Sequence, residues 1–276
     1  MFSEGHILWI VFSFTIIIVI LAVCHKLKPS IKALMKTAFC VGIVSEVIKV
    51  ISAIQIVPMV DPVVVRNGDL LAIEYVSNGE YTPYLAMEHM PLELCSLYLV
   101  FMLLVLTLKD GGWKKGLYAV MFASGTIGGL LGILLSSIAV DFTTVAEFFS
   151  SVRAWQYFIY HSIIVAVSVY LGCSKEADLK FTDLKKAVIG IVLLDIPTFY
   201  INSVFSSEIY SQNKIVGVTH RINFFSSYVS PFGMTVPDKK TWLIYLVIRA
   251  VLALTCITLL FGLLKIKDLV KRKEAA

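Results

Sequence analysis

Seven long apolar stretches separated by short polar segments dominate this chain. They run over residues 6–24, 34–57, 91–108, 117–139, 153–172, 186–206 and 241–264. Each is roughly 18 to 25 residues long, the length a helix needs to cross ~30 Å of hydrocarbon. The stretches lack strict alternation and are too long for barrel strands. Lipid offers no partner to a free backbone N–H or C=O, so a spanning segment satisfies those groups internally, as a helix. The pattern therefore predicts an all-α integral membrane protein of about seven transmembrane helices in one bundle, a single polytopic domain over residues 1–276.

Composition agrees. The chain has 276 residues, of which 58% are hydrophobic and 16% charged, with a mean hydropathy of +0.85; a soluble domain carries about 25% charged residues. The net charge of +5 is informative through its placement. Sixteen of the 24 Lys and Arg residues fall in segments on one side, among them Lys26, Lys28, Lys114, Lys115, Lys185 and Lys271. Six fall on the other: Arg66, Arg153, Lys214, Arg221, Lys239 and Lys240. That alternation predicts an N-terminus outside and a C-terminus in the cytoplasm, in the cell membrane. It also accounts for the basic surplus without a nucleic-acid surface. The flank before the first stretch, Met-Phe-Ser-Glu-Gly-His, has no Lys or Arg, so this stretch reads as a retained helix rather than a cleaved signal.

The outer segments are the longer ones. Residues 58–90 are acidic and interrupted by Pro62, Asn67-Gly68, Asn78-Gly79 and Pro83, which predicts turns or a short hairpin. Residues 207–240 read as a looped cap. In the fourth stretch Gly125, Gly128, Gly129 and Gly132 form two small-xxx-small pairs, which permit close helix packing inside the bundle and, as a weaker reading, between two copies.

Ionisable residues inside a membrane are costly and mark candidate sites. Here they are Glu46 and Lys49, Glu93, His161, Asp195 and Arg249, with His6 at the outer end of the first stretch. With a third helix beginning at Pro91, Cys95 lies roughly 6 Å below the outer edge, and His161 roughly 12 Å down. Of the five cysteines, Cys95 alone falls near the outer face, and no Cys/His metal spacing occurs. A thiol and a histidine in one bundle permit nucleophilic acyl transfer, since a thiolate attacks an ester carbon and an imidazole carries the proton. The bland alternatives are inert burial of Cys95, an i,i+3 pair between Glu46 and Lys49, and Asp195 serving backbone groups freed by Pro197.

Several short motifs add to this. Met-Pro-Leu-Glu-Leu-Cys over residues 90–95 resembles the Leu-Pro-Leu-His-Leu-Cys signature of the YwaF family of bacterial integral membrane proteins. Gly-His-Ile-Leu-Trp (5–9), Ser-Glu-Val-Ile-Lys (45–49), Gly-Gly-Leu-Leu-Gly (128–132) with Asp141, Gln-Tyr-Phe-Ile-Tyr-His-Ser (156–162) and Asn223-Phe-Phe are similar to elements of that family, in the same order. Glu93 stands where the family has a histidine. The family is grouped with transmembrane protein 164, an acyltransferase of ether phospholipids, and with hydrolases of fatty-acid esters. The resemblance implies catalytic roles for Cys95 and His161, with His6, Glu46, Lys49, Glu93, Asp195, Asn223 and Arg249 supporting or lining the pocket. It implies no metal and no cofactor, and membrane lipids as the partner. The expected function is thus a lipid acyltransferase or transacylase opening to the outer leaflet. The competing expectation is a multi-pass transporter, or a lipid- or small-molecule-binding protein, in which the charged residues form a polar pathway.

Overall fold

Every apolar stretch contains a helix. The computed structural model describes residues 3–67, 70–86, 89, 93–136, 144–204, 207–211, 214–220 and 238–274. Among these the order is α1 (Glu4–Leu27), α2 (Ile31–Ala53), β1 (Gln55–Asn67), β2 (Leu70–Tyr84), α3 (Leu94–Thr107), α4 (Gly112–Leu134), α5 (Val145–Ser150), α6 (Val152–Cys173), α7 (Leu184–Val204), β3 (Ser207–Ser211), β4 (Lys214–His220) and α8 (Lys239–Glu274). Five helical segments are long and apolar enough to cross a bilayer: Glu4–Leu27, Gly112–Leu134, Val152–Cys173, Phe181–Val204 and Lys239–Ile266. α2 has the length but carries Lys32, Lys36, Glu46 and Lys49. α3 is a shorter apolar helix, about 21 Å long at 1.5 Å per residue. The protein is a multi-pass membrane protein built mainly of helices.

Helix starts follow local chemistry. Ser3, Ser30 and Ser151 accept hydrogen bonds from the N–H groups of His6 (3.3 Å), Ala33 (3.2 Å) and Ala154 (3.3 Å), capping α1, α2 and α6. Thr144 and Glu147 form a reciprocal capping box on α5, a short helix the hydropathy pattern does not predict. Two boundaries move inward from the apolar edges. α2 ends at Ala53 because Gln55 already pairs with Tyr84 in an antiparallel hairpin. α3 starts at Leu94, three residues after Pro91.

The hairpin β1–β2 fulfils the expectation for the first outer segment, with one difference. Asn78-Gly79 is not its turn: Pro58 pairs with Tyr81 and Val60 with Ser77, so these residues form a bulge within β2. Gly79 takes φ +87 there, a backbone conformation that side chains resist. Strands β3 and β4 pair in a second hairpin.

α6 is the hub, packing on α1, α2 and α4. One core joins Met35 of α2, Tyr98 and Met102 of α3, Met121 of α4, Leu171 of α6 and Phe261 of α8. A second core gathers around Trp9, which stacks on Phe149 (4.8 Å) and Phe158 (5.0 Å) and meets Trp155 edge-on (4.7 Å). The glycines of α4 set how closely it approaches its neighbours. A Cβ on Gly128 would lie 2.8 Å from Leu94, on Gly129 2.6 Å from Val165, and on Gly125 2.7 Å from Tyr98. Outward faces stay apolar, with Ile18, Leu193 and Val247 more than half exposed. Exposed apolar area on this scale requires lipid around it.

Candidate functional site

Cys95 is the second residue of α3, on the helix's first turn. The N-cap, Glu93, makes no side-chain capping bond. The first-turn N–H groups of a helix have no partner within it, and together they carry a partial positive charge. The carbonyl oxygen of Cys95 accepts a hydrogen bond from the Tyr160 hydroxyl of α6 at 3.2 Å. Tyr160 reaches it by crossing α2 at Gly42, where a Cβ would sit 3.1 Å from its oxygen.

Beside the thiol lies a polar cluster shared by α2 and α3. Lys49 is ion-paired with Glu46 and donates to Ser96 Oγ at 3.0 Å. Ser96 in turn donates to Glu46 Oε2 at 3.1 Å. The i,i+3 pairing expected for Glu46 and Lys49 is therefore present, and Ser96 closes it into a triangle next to Cys95. Glu93, Lys49 and Glu46 are the charged groups acting on the Cys95 thiol. At the residue just before Glu46, Gln156 of α6 donates to Ser45 Oγ at 2.8 Å.

His161 is buried in α6 and faces α4. Its Nδ1–H donates to the carbonyl of Tyr157, one turn earlier, at 2.8 Å. This bond fixes the tautomer and leaves Nε2 as the acceptor nitrogen. The imidazole lies over Gly132, where a Cβ would fall 2.5 Å from Cδ2 and 2.8 Å from Nε2. The Tyr157 ring packs on the imidazole with centroids 4.1 Å apart, and its hydroxyl donates to the Gly132 carbonyl at 2.9 Å. Tyr157 is also within electrostatic reach of Cys95 and Glu93. Among the described residues the thiol and the imidazole make no hydrogen bond with each other; Tyr160 of α6 holds the Cys95 carbonyl, and Tyr157 packs on the imidazole.

The remaining candidates lie elsewhere. His6 is fully buried, and its Nε2 pairs with the Ile133 carbonyl at 3.0 Å, joining α1 to the end of α4. Asp195 of α7 is ion-paired with Arg249 of α8, and the Asp195 carbonyl accepts from Thr198 at 2.6 Å. So Asp195 serves a neighbouring helix through its carboxylate, and a backbone carbonyl near Pro197 is satisfied by Thr198. Asn223 and Asp141 lie outside the described residues. Among the described residues no cluster of His, Cys, Asp and Glu is arranged to hold a metal ion. Tyr157, Tyr160, Ser96 and Gly132 were not singled out as site residues by the sequence, although Tyr157 is one turn from His161 and Ser96 adjoins Cys95.

An apolar helical bundle with a charged and hydroxyl-rich interior next to one thiol defines an integral membrane protein with a buried polar site. The chain belongs to the TMEM164 family, whose pattern it matches over residues 1–261. No curated protein and no solved structure matches it.

Proposed function

We propose that this protein is a membrane-embedded lipid acyltransferase or transacylase of the YwaF branch, crossing the bilayer seven times with its N-terminus outside. The observation that carries the reading is the placement of Cys95 on the first turn of α3, in the same bundle as the buried His161, whose Nδ1 is engaged and whose Nε2 is left as an acceptor. In this scheme the proton of the thiol passes to His161, which the thiol does not touch in the resting bundle, and the thiolate attacks the ester carbon of a phospholipid. A C–S bond forms, the ester C–O bond breaks, and the departing alkoxide takes the proton from the imidazolium. The acceptor hydroxyl then gives its proton to His161 and attacks the thioester; a C–O bond forms, the C–S bond breaks, and the departing thiolate takes that proton back from the imidazolium. Lys49 offsets the two carboxylates near the sulfur, while His6, Asp195 and Arg249 hold helices in place. No soluble cofactor enters this scheme.

The reading is tested with a radiolabelled phospholipid and purified protein in vesicles. Wild type should transfer label, and Cys95→Ser should lose essentially all of it, because a serine hydroxyl has no comparable anion at neutral pH. Equal transfer by both proteins would refute the thioester scheme. Topology is read separately by tagging each terminus and exposing intact cells to protease. A protected N-terminus or an accessible C-terminus would refute the assigned orientation.

A further inference from the structure

Contacts along α4 set the levels of the thiol and the imidazole. A Cβ on Gly125 would meet Tyr98, one on Gly128 would meet Leu94, and one on Gly132 would meet the His161 ring. Residue numbers thus fall along α3 as they rise along α4, and the two helices run antiparallel. Cys95, between Leu94 and Tyr98 in α3, lies on the Gly125 side of Gly128. The imidazole sits at Gly132, four residues and about 6 Å further along α4. The thiol and the nitrogen that is to receive its proton are therefore about one helical turn apart in level.

Glu93 falls in that interval. It precedes Leu94, so it lies on the Gly132 side of the Gly128 level, whereas Cys95 lies on the other side. A carboxylate at an N-cap ordinarily bonds the first-turn N–H groups. Glu93 makes no such bond, and it is half-buried. Its charge acts on the Cys95 thiol and also on the Tyr157 hydroxyl. Tyr157 in turn packs on the imidazole, with centroids 4.1 Å apart. Lys49, the cation that acts on Glu93, is already paired with Glu46 and bonded to Ser96. An ionised carboxylate only accepts, and once protonated it donates. Such a group can take a proton from one neighbour and hand it to another.

We infer that Glu93 carries the proton between Cys95 and His161. In acylation the S–H bond breaks and the proton goes to the Glu93 carboxylate. The carboxyl group so formed passes it to Nε2 of His161, which restores the carboxylate and leaves a thiolate and an imidazolium. The proton returns to the sulfur by the same route when the thioester is released. Rotation about the side-chain bonds of Glu93 turns the carboxyl toward each partner in succession, with the helices in place. This assignment rests on the acyl-transfer reading for the roles of Cys95 and His161.

The test follows acylation of Cys95 in the full-length protein, held in phosphatidylcholine vesicles, with p-nitrophenyl palmitate as the acyl donor. The adduct on the Cys95 peptide is timed by mass spectrometry. The leaving group of this donor departs without a proton, so the rate reports removal of the proton from the thiol. Glu93→Gln keeps the shape and removes the proton acceptor; it should slow adduct formation about 10²-fold, the lower end of the loss for a general base. His161→Ala should slow it by a similar factor. The double variant should be no slower than the slower single one, because both residues serve one route. Formate, a small carboxylate, should raise the rate of Glu93→Ala about tenfold, as a free base replacing the missing one. A residue that only shapes the start of α3 would give no such response. Thermal unfolding of each variant confirms that it is folded, and rescue by formate itself requires a folded site. A wild-type rate in Glu93→Gln, single effects that multiply in the double variant, or no response of Glu93→Ala to formate would overturn the relay while Cys95 is still acylated in the wild type. A wild type that forms no adduct on Cys95 would instead remove the acyl-transfer reading, and the relay with it.

Discussion

The helices at the centre of the bundle and the helix at its edge are all apolar enough to cross a bilayer but are very differently used. In α4 and α6, 61% of the most apolar 18-residue stretch is buried within the protein; in α8 the share is 11%. The glycines report the same contrast. A Cβ on Gly132 of α4 would strike the His161 ring, whereas one on Gly262 of α8 would meet nothing within 4 Å. The charges divide likewise. Glu46, Lys49 and Ser96 form a closed triangle beside Cys95, while Asp195 and Arg249 form an ion pair between α7 and α8, where Phe199 also meets Trp242 edge-on. Charged residues that look alike in a hydropathy profile therefore do two jobs: the central set surrounds a thiol, and the peripheral set joins two helices.

The largest separation between the two regions should come from His161→Ala, which is expected to slow acyl transfer roughly 10²–10⁴-fold, the usual loss for a general base. The protein should remain folded by circular dichroism, since the side chain lines a polar interior. Turnover close to wild type would remove His161 from the mechanism.

Paired glycine variants sharpen the comparison. Gly132→Ala should push the imidazole aside and lower turnover about 10²-fold, as an ångström of misplacement can. Gly262→Ala should leave turnover unchanged and stabilise α8 by about 0.5–1 kcal/mol through helix propensity, read as a higher midpoint in thermal unfolding. Equal behaviour of the two variants would break the contrast.

Asp195→Ala and Arg249→Ala should each cost about 1–2 kcal/mol of stability, in the range of interhelical polar contacts in membranes. The double variant should cost less than the sum, because each single change leaves a charge without its partner. Simple additivity would show that the pair carries no coupling.

The smallest effect concerns pH at the turn between α6 and α7. Burial nudges the Asp178 carboxyl up, but hydrogen bonds from Lys180 and Lys115 outweigh it and hold the group below its ordinary value. A depressed carboxylate contributes stability above its unfolded pKa and loses it as pH falls through the folded one. The thermal midpoint should therefore decline slightly more in wild type than in Asp178→Asn as pH falls below the ordinary Asp value of about 3.9. No difference between the two would remove this contribution.

Much of the architecture was legible because lipid leaves a chain few options. A run of 20 apolar residues in hydrocarbon becomes a helix whatever its neighbours are, and serines or threonines just before such runs mark helix starts. The hairpin after α2 was visible in its Pro and Asn-Gly punctuation. Its bulge was not, because Asn78-Gly79 carries the same left-handed preference in a bulge as in a turn. α5 has a single turn and a half of apolar residues, too few to register as a period. Cys95 and His161 stood out in the sequence as residues able to carry acyl-transfer chemistry. What surrounds them did not: nothing in the sequence says that Tyr160 passes Gly42 to reach the Cys95 carbonyl, or that Gly132 is the floor beneath His161. Those facts depend on which helices pack together, and the apolar stretches of this chain carry no mark of their neighbours.

The claim that most needs a direct answer is covalent chemistry at Cys95. Purified protein, incubated with a phospholipid and quenched in acid, is digested and its five cysteines are followed by mass spectrometry. The account predicts an acyl adduct, labile to hydroxylamine, on the peptide containing Cys95, and none on Cys24, Cys40, Cys173 or Cys256. It also predicts that adduct formation rises with pH as the thiolate population grows. Full acyl transfer by Cys95→Ala, with no adduct in wild type, would contradict it.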